Sequence, residues 1–418
     1  MVRLAACLLP LLFLSCSPGS QGTVIDAPPG TDEGAVLTMT GHGVEAFDSA
    51  MPSFLQRSNI PGAAVAVSVG ERLVVARGYG LADRAAALPV QPDTRFRIAS
   101  LSKPLTATAV LQLVSEGTLS LDDPAFGHLS DLQPAGGAVA DDRIAAVTIE
   151  DLLYHFGGWD RNRSFDPMFI PVLAAQTVQV PPPADAETVI RYMLGQRLDH
   201  EPGSTYAYSN FGYAVLGRVI ERLTGQSYED AIAERVLLPA GISEMRIGRS
   251  LVSTSGETRY YDYPGAPQAA SVFDPDSENR VNRPYGGFHL EAMDSHGGWT
   301  ASAVDLVRFL TAVDGADLRP DLITAATREA MLSHPGKHWG TGYFYAMGWE
   351  RPGLEFSHTG ALPGTSSYMG CRGSVCIAAV FNSWPQTDSG YFGDMTSALW
   401  AAAVATEVWP EGNLFEAW

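Results

Sequence analysis

The sequence predicts an α/β fold in which one β-sheet draws strands from both ends of the chain and is interrupted by a large, mostly helical insertion. Strand patterns occur at about 65–77 and return from about 354, whereas residues 118–295 mix helical periods with long Pro-rich stretches. Hydrophobic residues make up 46% of the 418 positions. That fraction is enough for a packed core and excludes a disordered or collagen-like chain.

Periodicity and turn residues place the first elements. A helix is predicted over about 44–58. Alternating valines over 65–69, a short Gly-containing turn and a second apolar run over 73–77 predict a β-hairpin. The next helix is predicted over about 101–116, where Gly117 ends it.

The later elements follow from the same signals. A helix over 211–223 carries one continuous apolar face, and Gly225 follows as a stop. The remaining predicted elements are the helices 302–313 and 394–408, the second of them closed by Pro410, and the strands 366–371 and 375–382.

These elements divide the chain into four predicted parts. Residues 1–22 are predicted to be a signal peptide, and residues 23–43, rich in Gly, Pro, Thr and Asp, a linker. Residues 44–117 and 296–418 are predicted to form the sheet domain. Residues 118–295 are predicted to form a helical, loop-rich domain.

The leader predicts export. Its apolar run, Leu4–Leu14, is interrupted by Pro10 and is shorter than the roughly 20 residues that cross a bilayer. Residues 13–16 (Phe-Leu-Ser-Cys) resemble the lipobox of bacterial lipoproteins, in which the cysteine is lipidated and becomes the new N-terminus. We therefore expect a location in the periplasm or cell envelope with a lipid anchor at Cys16; cleavage without lipidation is the alternative.

The charge balance excludes one class of partner and isolates one residue type. With 27 basic and 46 acidic side chains, the formal charge is −19, which argues against binding a nucleic-acid backbone. Only two of the basic residues, Lys103 and Lys337, are lysines.

The last two cysteines are placed for a disulfide. Cys371 and Cys376 flank Arg372–Val375, and a two-residue turn at Gly373-Ser374 would set them opposite each other on a hairpin. An oxidising compartment favours the bond. Two small buried thiols are the alternative.

Ser100 and Lys103 form a Ser-x-x-Lys motif at the predicted start of a helix. The i, i+3 spacing puts both side chains on one face. A buried lysine can lose its proton and act as a base, whereas an arginine cannot. The alternative is an exposed lysine one turn after a helix-capping serine.

Two further motifs are weak when taken singly. Tyr208-Ser209-Asn210 precedes a predicted helix, so Ser209 or Asn210 could simply cap it. His358-Thr359-Gly360 opens a strand region, for which a turn is the default explanation. Gly360 would also let another chain, such as a substrate, approach the strand edge closely.

In this order, the three motifs resemble those of the serine β-lactamase and penicillin-binding protein superfamily, and most of all its class C β-lactamase-related branch of esterases and D-amino-acid peptidases. The resemblance covers about 44–408 and includes the stretches 113–123, 147–153 and 298–302. It implies a β-lactamase/transpeptidase-like fold: an antiparallel sheet flanked by helices, with a large, mostly helical insertion domain.

The resemblance also implies roles. Ser100 would be the nucleophile, Lys103 its base, alone or together with Tyr208, and Tyr208 the group that protonates the leaving group and activates water. The implied substrate-binding residues are Asn210, His358, Thr359, Gly360 and Ala361, with the backbone N–H groups of Ser100 and Ala361 as the oxyanion hole.

Two departures bear on specificity. His358 stands where β-lactamases and many penicillin-binding proteins have lysine, and histidine is mostly neutral near pH 7. Carboxylate recognition at this position is therefore in question, although Arg372 could compensate. The second departure is residues 155–159, His-Phe-Gly-Gly-Trp, followed by a predicted cleft rim over 159–182, in which Trp159 and Phe169 could also be ordinary core.

We expect an exported serine hydrolase that acts through an acyl-enzyme on a small-molecule ester, amide or peptide. The alternatives are a D-Ala-D-Ala carboxypeptidase, a β-lactamase or a non-hydrolytic cell-wall sensor. No cofactor or metal is predicted: His334 and His338 are four apart, but Pro335 and Gly336 lie between them.

Overall fold

The computed structural model describes residues 37–336, 342–353 and 355–417. The predicted signal peptide, Cys16, residues 23–36 of the predicted linker and Lys337 lie outside the described residues. The helices are α1 Glu45–Arg57, α2 Ser102–Ser115, α3 Ile149–Leu153, α4 Pro171–Val178, α5 Ala186–Met193, α6 Asn210–Thr224, α7 Tyr228–Ile232, α8 Ala303–Leu310, α9 Ala325–Met331 and α10 Tyr391–Ala405. The strands are β1 Met39–His42, β2 Gly62–Val69, β3 Arg72–Asp83, β4 Leu88–Pro89, β5 Phe96–Arg97, β6 Arg246–Ile247, β7 Ala269–Ala270, β8 Arg280–Val281, β9 Trp299–Ala301, β10 Tyr343–Tyr345, β11 Glu350–Pro352, β12 Phe356–Leu362, β13 Thr365–Arg372 and β14 Val375–Phe381.

The main sheet joins the two ends of the chain. Its strands lie in the order β1-β3-β2-β14-β13-β12-β11-β10, and every neighbouring pair is antiparallel. The junction is the pairing of β2 with β14, which runs from Val69–Val375 to Ala63–Phe381. The predicted α/β class, with an antiparallel sheet interrupted by a helical insertion, is confirmed.

Both faces of the sheet are covered, which explains why β2 reads as a nearly continuous apolar run. Val65 and Val67 lie in a core formed with helices α1 and α10, whereas Ala64 and Ala66 lie in the larger core on the opposite face. Small residues on the second face leave room for α8 to pack closely against β2 and β14.

Helix α2 lies in the interior between the sheet and the insertion. Every residue from Ser102 to Leu111 is buried, so the helix has no polar face of the kind that surface helices show. Its first turn therefore places Lys103 where water is excluded.

Regular structure begins within the predicted linker 23–43. Met39–His42 forms the edge strand β1 and pairs with β3. Gly41 has a φ of 78°, and a Cβ at this position would lie 2.3 Å from the carbonyl oxygen of Ala76. The glycine that makes the segment look like a linker thus permits a close strand contact.

No helix among the described residues is both long and apolar enough to span a membrane.

The C-terminal hairpin has the predicted register: Cys371 lies opposite Cys376, and Arg372 opposite Val375. The two cysteines form a disulfide with a Cα–Cα distance of 4.1 Å, and both side chains are buried. The predicted bond is confirmed.

We predict that replacing both cysteines by alanine lowers the free energy of unfolding by about 2 kcal/mol, because the bond closes a short loop and limits the unfolded chain. Urea unfolding of the wild type and of the Cys371→Ala/Cys376→Ala variant measures the difference. Adding a reductant should destabilise the wild type by a similar amount and leave the variant unchanged. Equal midpoints for wild type and variant would contradict a stabilising role.

Candidate active site

Ser100 lies on a short 3₁₀ turn, Ala99–Leu101, immediately before α2. Ala99 has a φ of 50°, in the left-handed region that a residue with a side chain seldom adopts. The turn is held by Ser102, whose hydroxyl donates to the Ala99 carbonyl at 2.8 Å. Ser100 is partly exposed and lines a cleft of about 380 Å³.

Lys103 is fully buried, and its Nζ atom has three polar neighbours. They are the Oδ1 atom of Asn210 at 2.8 Å, the carbonyl oxygen of His296 at 3.0 Å and the Oγ atom of Ser100 at 3.1 Å. Burial, assisted by the positive charge of Arg161, holds the pKa of Lys103 well below its usual value. A neutral amine donates two hydrogen bonds, here to the two carbonyl oxygens, and its lone pair is left to accept the proton of Ser100.

The side chain of Asn210 is oriented by a residue that the sequence analysis missed. Its Nδ2 atom donates to Asp166 Oδ2 at 2.7 Å, which turns Oδ1 towards Lys103. Of the two candidate caps of α6, Ser209 is the residue that caps the helix. Its hydroxyl accepts a hydrogen bond from the N–H of Gly212 at 3.2 Å. Asn210 is thus free to contact Lys103.

Tyr208 completes the set around the nucleophile. Its side chain interacts with that of Ser100, and its ring centroid lies 4.8 Å from Nζ of Lys103. Burial raises the pKa of Tyr208, so the phenol stays protonated. Of the two bases weighed from the sequence, the charge states favour Lys103 as the acceptor and Tyr208 as a donor.

Behind Tyr208 lies an aromatic cluster that includes His358. The centroid of the His155 ring lies 4.3 Å from that of Tyr208. His358 is 1% exposed; its Nδ1 atom donates to the carbonyl oxygen of Thr359 at 2.6 Å, and its Nε2 atom accepts from Tyr345 at 3.0 Å. Burial lowers the pKa of His358 to about 3, so this histidine is neutral, as expected.

The structure separates the predicted substrate-binding residues into two groups. Asn210 and Ala361 line the cleft with Ser100, which agrees with the predicted oxyanion pair of Ser100 and Ala361. His358 faces the aromatic cluster, and Thr359 donates its hydroxyl proton to Glu350 at 3.0 Å. Direct contact of these two side chains with a substrate stays a prediction, since their observed hydrogen-bond partners, such as Tyr345 and Glu350, do not line the cleft.

At Gly360 another segment of the chain approaches the strand closely, as predicted for a glycine at this position. A Cβ here would lie 2.4 Å from the carbonyl oxygen of Ile98 and 2.3 Å from Oγ of Ser367. The glycine therefore leaves space for the segment that leads to Ser100, and the approach of a substrate at this position stays a prediction. The hydroxyl of Ser367 donates to the same Ile98 carbonyl at 2.7 Å.

The rest of the cleft combines aromatic walls with arginines. Phe169, Phe288 and Trp384 line it, together with Arg161 and Arg283. The predicted rim thus contributes Phe169 and Arg161.

Trp159 and Arg372, two further candidates from the sequence, do not line the cleft. Trp159 is core, packed against Phe126 and Phe211. Arg372 cannot compensate for the missing lysine, because it is paired with Glu355 and stacked 4.1 Å from the Trp400 ring.

Comparison with known proteins gives consistent results. A family model described as Beta-lactamase matches residues 47–396. The chain is 31% identical over 332 residues to Esterase EstB of Burkholderia gladioli, covering 72% of this chain and 79% of that protein. It is also 31% identical over 373 residues to Penicillin-binding protein 4 of Amycolatopsis lactamdurans, covering 82% and 84%.

Among solved structures, the D-amino acid amidase of Ochrobactrum anthropi SV3 superposes with a TM-score of 0.66 at 21% identity, over 87% of this chain and 99% of that one. The fold predicted from the order of the motifs is confirmed.

We predict that Asp166→Asn lowers the pKa of Lys103 further, because it removes a negative charge that favours the ammonium form. The chain has two lysines, so ¹³C-lysine NMR can follow both titrations, with Lys103→Met for assignment. The Lys103 signal should titrate well below 10.5 in the wild type and lower still in Asp166→Asn. The acid limb of kcat/KM should move to lower pH in parallel, since only the neutral amine can accept a proton.

Asp276→Asn is the matched control, because this exposed carboxylate is removed with the same change in net charge. It should leave the titration unchanged. A Lys103 signal that titrates near its ordinary value in the wild type would contradict the role of the neutral amine.

Proposed function

This chain belongs to the β-lactamase family of serine hydrolases, and we propose that it hydrolyses ester or amide bonds of small molecules through an acyl-enzyme on Ser100. The observation that carries this proposal is the environment of Lys103. Both N–H groups of its neutral amine have carbonyl acceptors, in Asn210 and His296, and its lone pair faces the hydroxyl of Ser100. A module that only binds its ligand has no need of a buried amine arranged in this way.

The first half of the reaction follows from these contacts. Oγ of Ser100 attacks the carbonyl carbon while its proton passes to Lys103. The negative charge that develops on the carbonyl oxygen is stabilised by the backbone N–H groups of Ser100 and Ala361. The protonated Tyr208 gives its proton to the leaving group as the carbon–heteroatom bond breaks, and it recovers a proton from the Lys103 ammonium.

The second half reverses these transfers. Water attacks the acyl-enzyme and gives one proton, through Tyr208 or directly, to the Lys103 amine. The tetrahedral intermediate then collapses, the bond to Ser100 breaks, and the serine oxygen takes the proton back from Lys103. The products are a carboxylic acid and the alcohol or amine, and the enzyme returns to its starting protonation state.

An ester is the favoured substrate, and penicillin binding is the second candidate. The neutral His358 offers no fixed positive charge at the position where related enzymes that take β-lactams have lysine. The similarity to an esterase over 79% of that protein supports the first candidate, and the similarity to a penicillin-binding protein over 84% of its length supports the second.

We also propose export with a lipid anchor at Cys16 in the periplasm or cell envelope. Two observations support it. The apolar leader ends in a lipobox-like sequence, and the buried Cys371–Cys376 disulfide is of a kind that persists in oxidising compartments.

We predict that Ser100→Ala lowers kcat/KM for a chromogenic ester by at least about 10³-fold, because the variant has no nucleophile. The assay compares p-nitrophenyl butyrate, a chromogenic cephalosporin and a D-amino-acid p-nitroanilide on the purified protein. Ser130→Ala removes an exposed hydroxyl and is the matched control. Equal turnover by wild type and Ser100→Ala would overturn the mechanism. Stoichiometric labelling by a fluorescent penicillin without turnover of any substrate would favour the sensor.

We predict that the full chain, expressed in a bacterial host, is labelled by a radioactive fatty acid and that Cys16→Ser abolishes the label, because the thiol is the acceptor. Cys7→Ser, which removes the other leader cysteine, should retain it. Secretion of an unlabelled wild-type protein would indicate cleavage without lipidation.

A further inference from the structure

The cleft has the opposite charge to the chain as a whole. The protein carries a formal charge of −19. Among the described residues that line the cleft there is no Asp or Glu, whereas Arg161 and Arg283 both line it. His296, the remaining titratable residue of this lining, is buried and its pKa is lowered, so it is neutral. The lining itself therefore carries a net positive charge.

Of these two arginines, Arg161 is the one available to a ligand. Arg283 is held by Asp262, which accepts from its Nε atom at 2.7 Å, and by Gln386 at 2.8 Å. The side chain of Arg161 is exposed and forms no ion pair with a carboxylate of the described residues. Asp166 interacts with it electrostatically, but the carboxylate of Asp166 is hydrogen-bonded to Asn210 and to the N–H of Met168.

Arg161 lies beside Tyr208, the residue that protonates the leaving group in the proposed reaction. Its guanidinium carbon lies 4.7 Å from the centroid of the Tyr208 ring, and the side chain of Tyr208 interacts with that of Ser100. A guanidinium that rests its face on an aromatic ring keeps its N–H groups directed along its edges, where they match the two oxygens of a carboxylate. In the proposed reaction Tyr208 protonates the leaving group, so Arg161 lies beside that part of the substrate.

We propose that Arg161 binds a carboxylate carried by the leaving group of the substrate. This inference rests on the proposed function and names the substrate class: esters or amides whose alcohol or amine part is an acid. The positive charge that the position of His358 lacks is then supplied by Arg161 of the insertion. Phe169 and Phe288, which also line the cleft, offer apolar surface to the rest of the leaving group.

The test uses two matched pairs of esters. In the first pair, 3-acetoxybenzoate and 3-acetoxybenzamide, the charge is on the leaving group. In the second pair, phenyl hydrogen glutarate and its amide, phenyl glutaramate, the charge is on the acyl group. The measured quantity is the ratio of kcat/KM for the charged ester to that for its neutral partner, because a general effect of Arg161 on Lys103 cancels in this ratio.

We expect Arg161→Gln to lower the ratio for the first pair by about tenfold or more, the usual effect of losing a charge-assisted hydrogen bond. The ratio for the second pair should stay within about twofold. Arg161→Lys keeps the charge without the planar fork and should give an intermediate ratio. Arg163→Gln removes an equally exposed charge two residues away and should leave both ratios unchanged.

The outcomes separate the inference from the proposed function. If the wild type hydrolyses these esters but Arg161→Gln leaves the first ratio unchanged, the inference is overturned and the proposed function stands. A loss confined to the second pair also overturns it, because the carboxylate would then be on the acyl side. If the folded wild type hydrolyses none of the four esters, the inference fails, and the proposed function fails with it only when the three chromogenic substrates are not hydrolysed either.

Discussion

A charged amine loses most of its hydration when it is buried, so burial favours the neutral form of Lys103 and requires acceptors for its N–H groups. This requirement links parts of the molecule that are distant in sequence. The amine stands on the first turn of the buried helix α2, one acceptor is Asn210 at the start of α6, and the other is the main chain at His296. The insertion is therefore part of the site, because α6 belongs to it and completes the environment of a residue that the sheet domain supplies.

The sheet imposes the complementary constraint on the nucleophile. Strand β13 donates two side-chain hydrogen bonds to the segment before Ser100, from Thr365 to the carbonyl of Arg97 and from Ser367 to that of Ile98, both at 2.7 Å. Gly360 on the neighbouring strand leaves space for this segment. The strained turn at Ala99 is thus fixed from the sheet, which keeps the serine in place beside the amine without any metal or cofactor in the proposed steps.

Residues in regular elements with recognisable spacing could be predicted from the sequence, and residues in irregular segments could not. Ser100 and Lys103 are one helical turn apart, and the hairpin turn sets the two cysteines opposite each other, so local geometry was sufficient. Asp166 and Arg161 belong to a loop without periodicity, and their partners are about 45 residues away in sequence. The Asp-Pro pair at 166–167 signals a helix cap, which Asp166 indeed forms, but nothing local indicates that the same carboxylate also orients Asn210. At Gly360 the sequence predicted the close approach of another chain but not which chain, since a glycine pattern does not show what approaches it.

The arrangement of charge explains how specificity can differ from that of relatives without disturbing the machinery. His358 lies on a central strand and its ring is enclosed by Tyr345 and Tyr208, so a positive charge there would have to be buried close to Lys103. Arg161 lies on an exposed loop of the insertion, where its charge costs little desolvation. Most of the protein's 46 acidic side chains act on a substrate only weakly, because salt screens charges beyond about 8 Å at physiological ionic strength. A single arginine within the cleft can therefore set the charge that a substrate meets, while the residues that perform the chemistry stay unchanged.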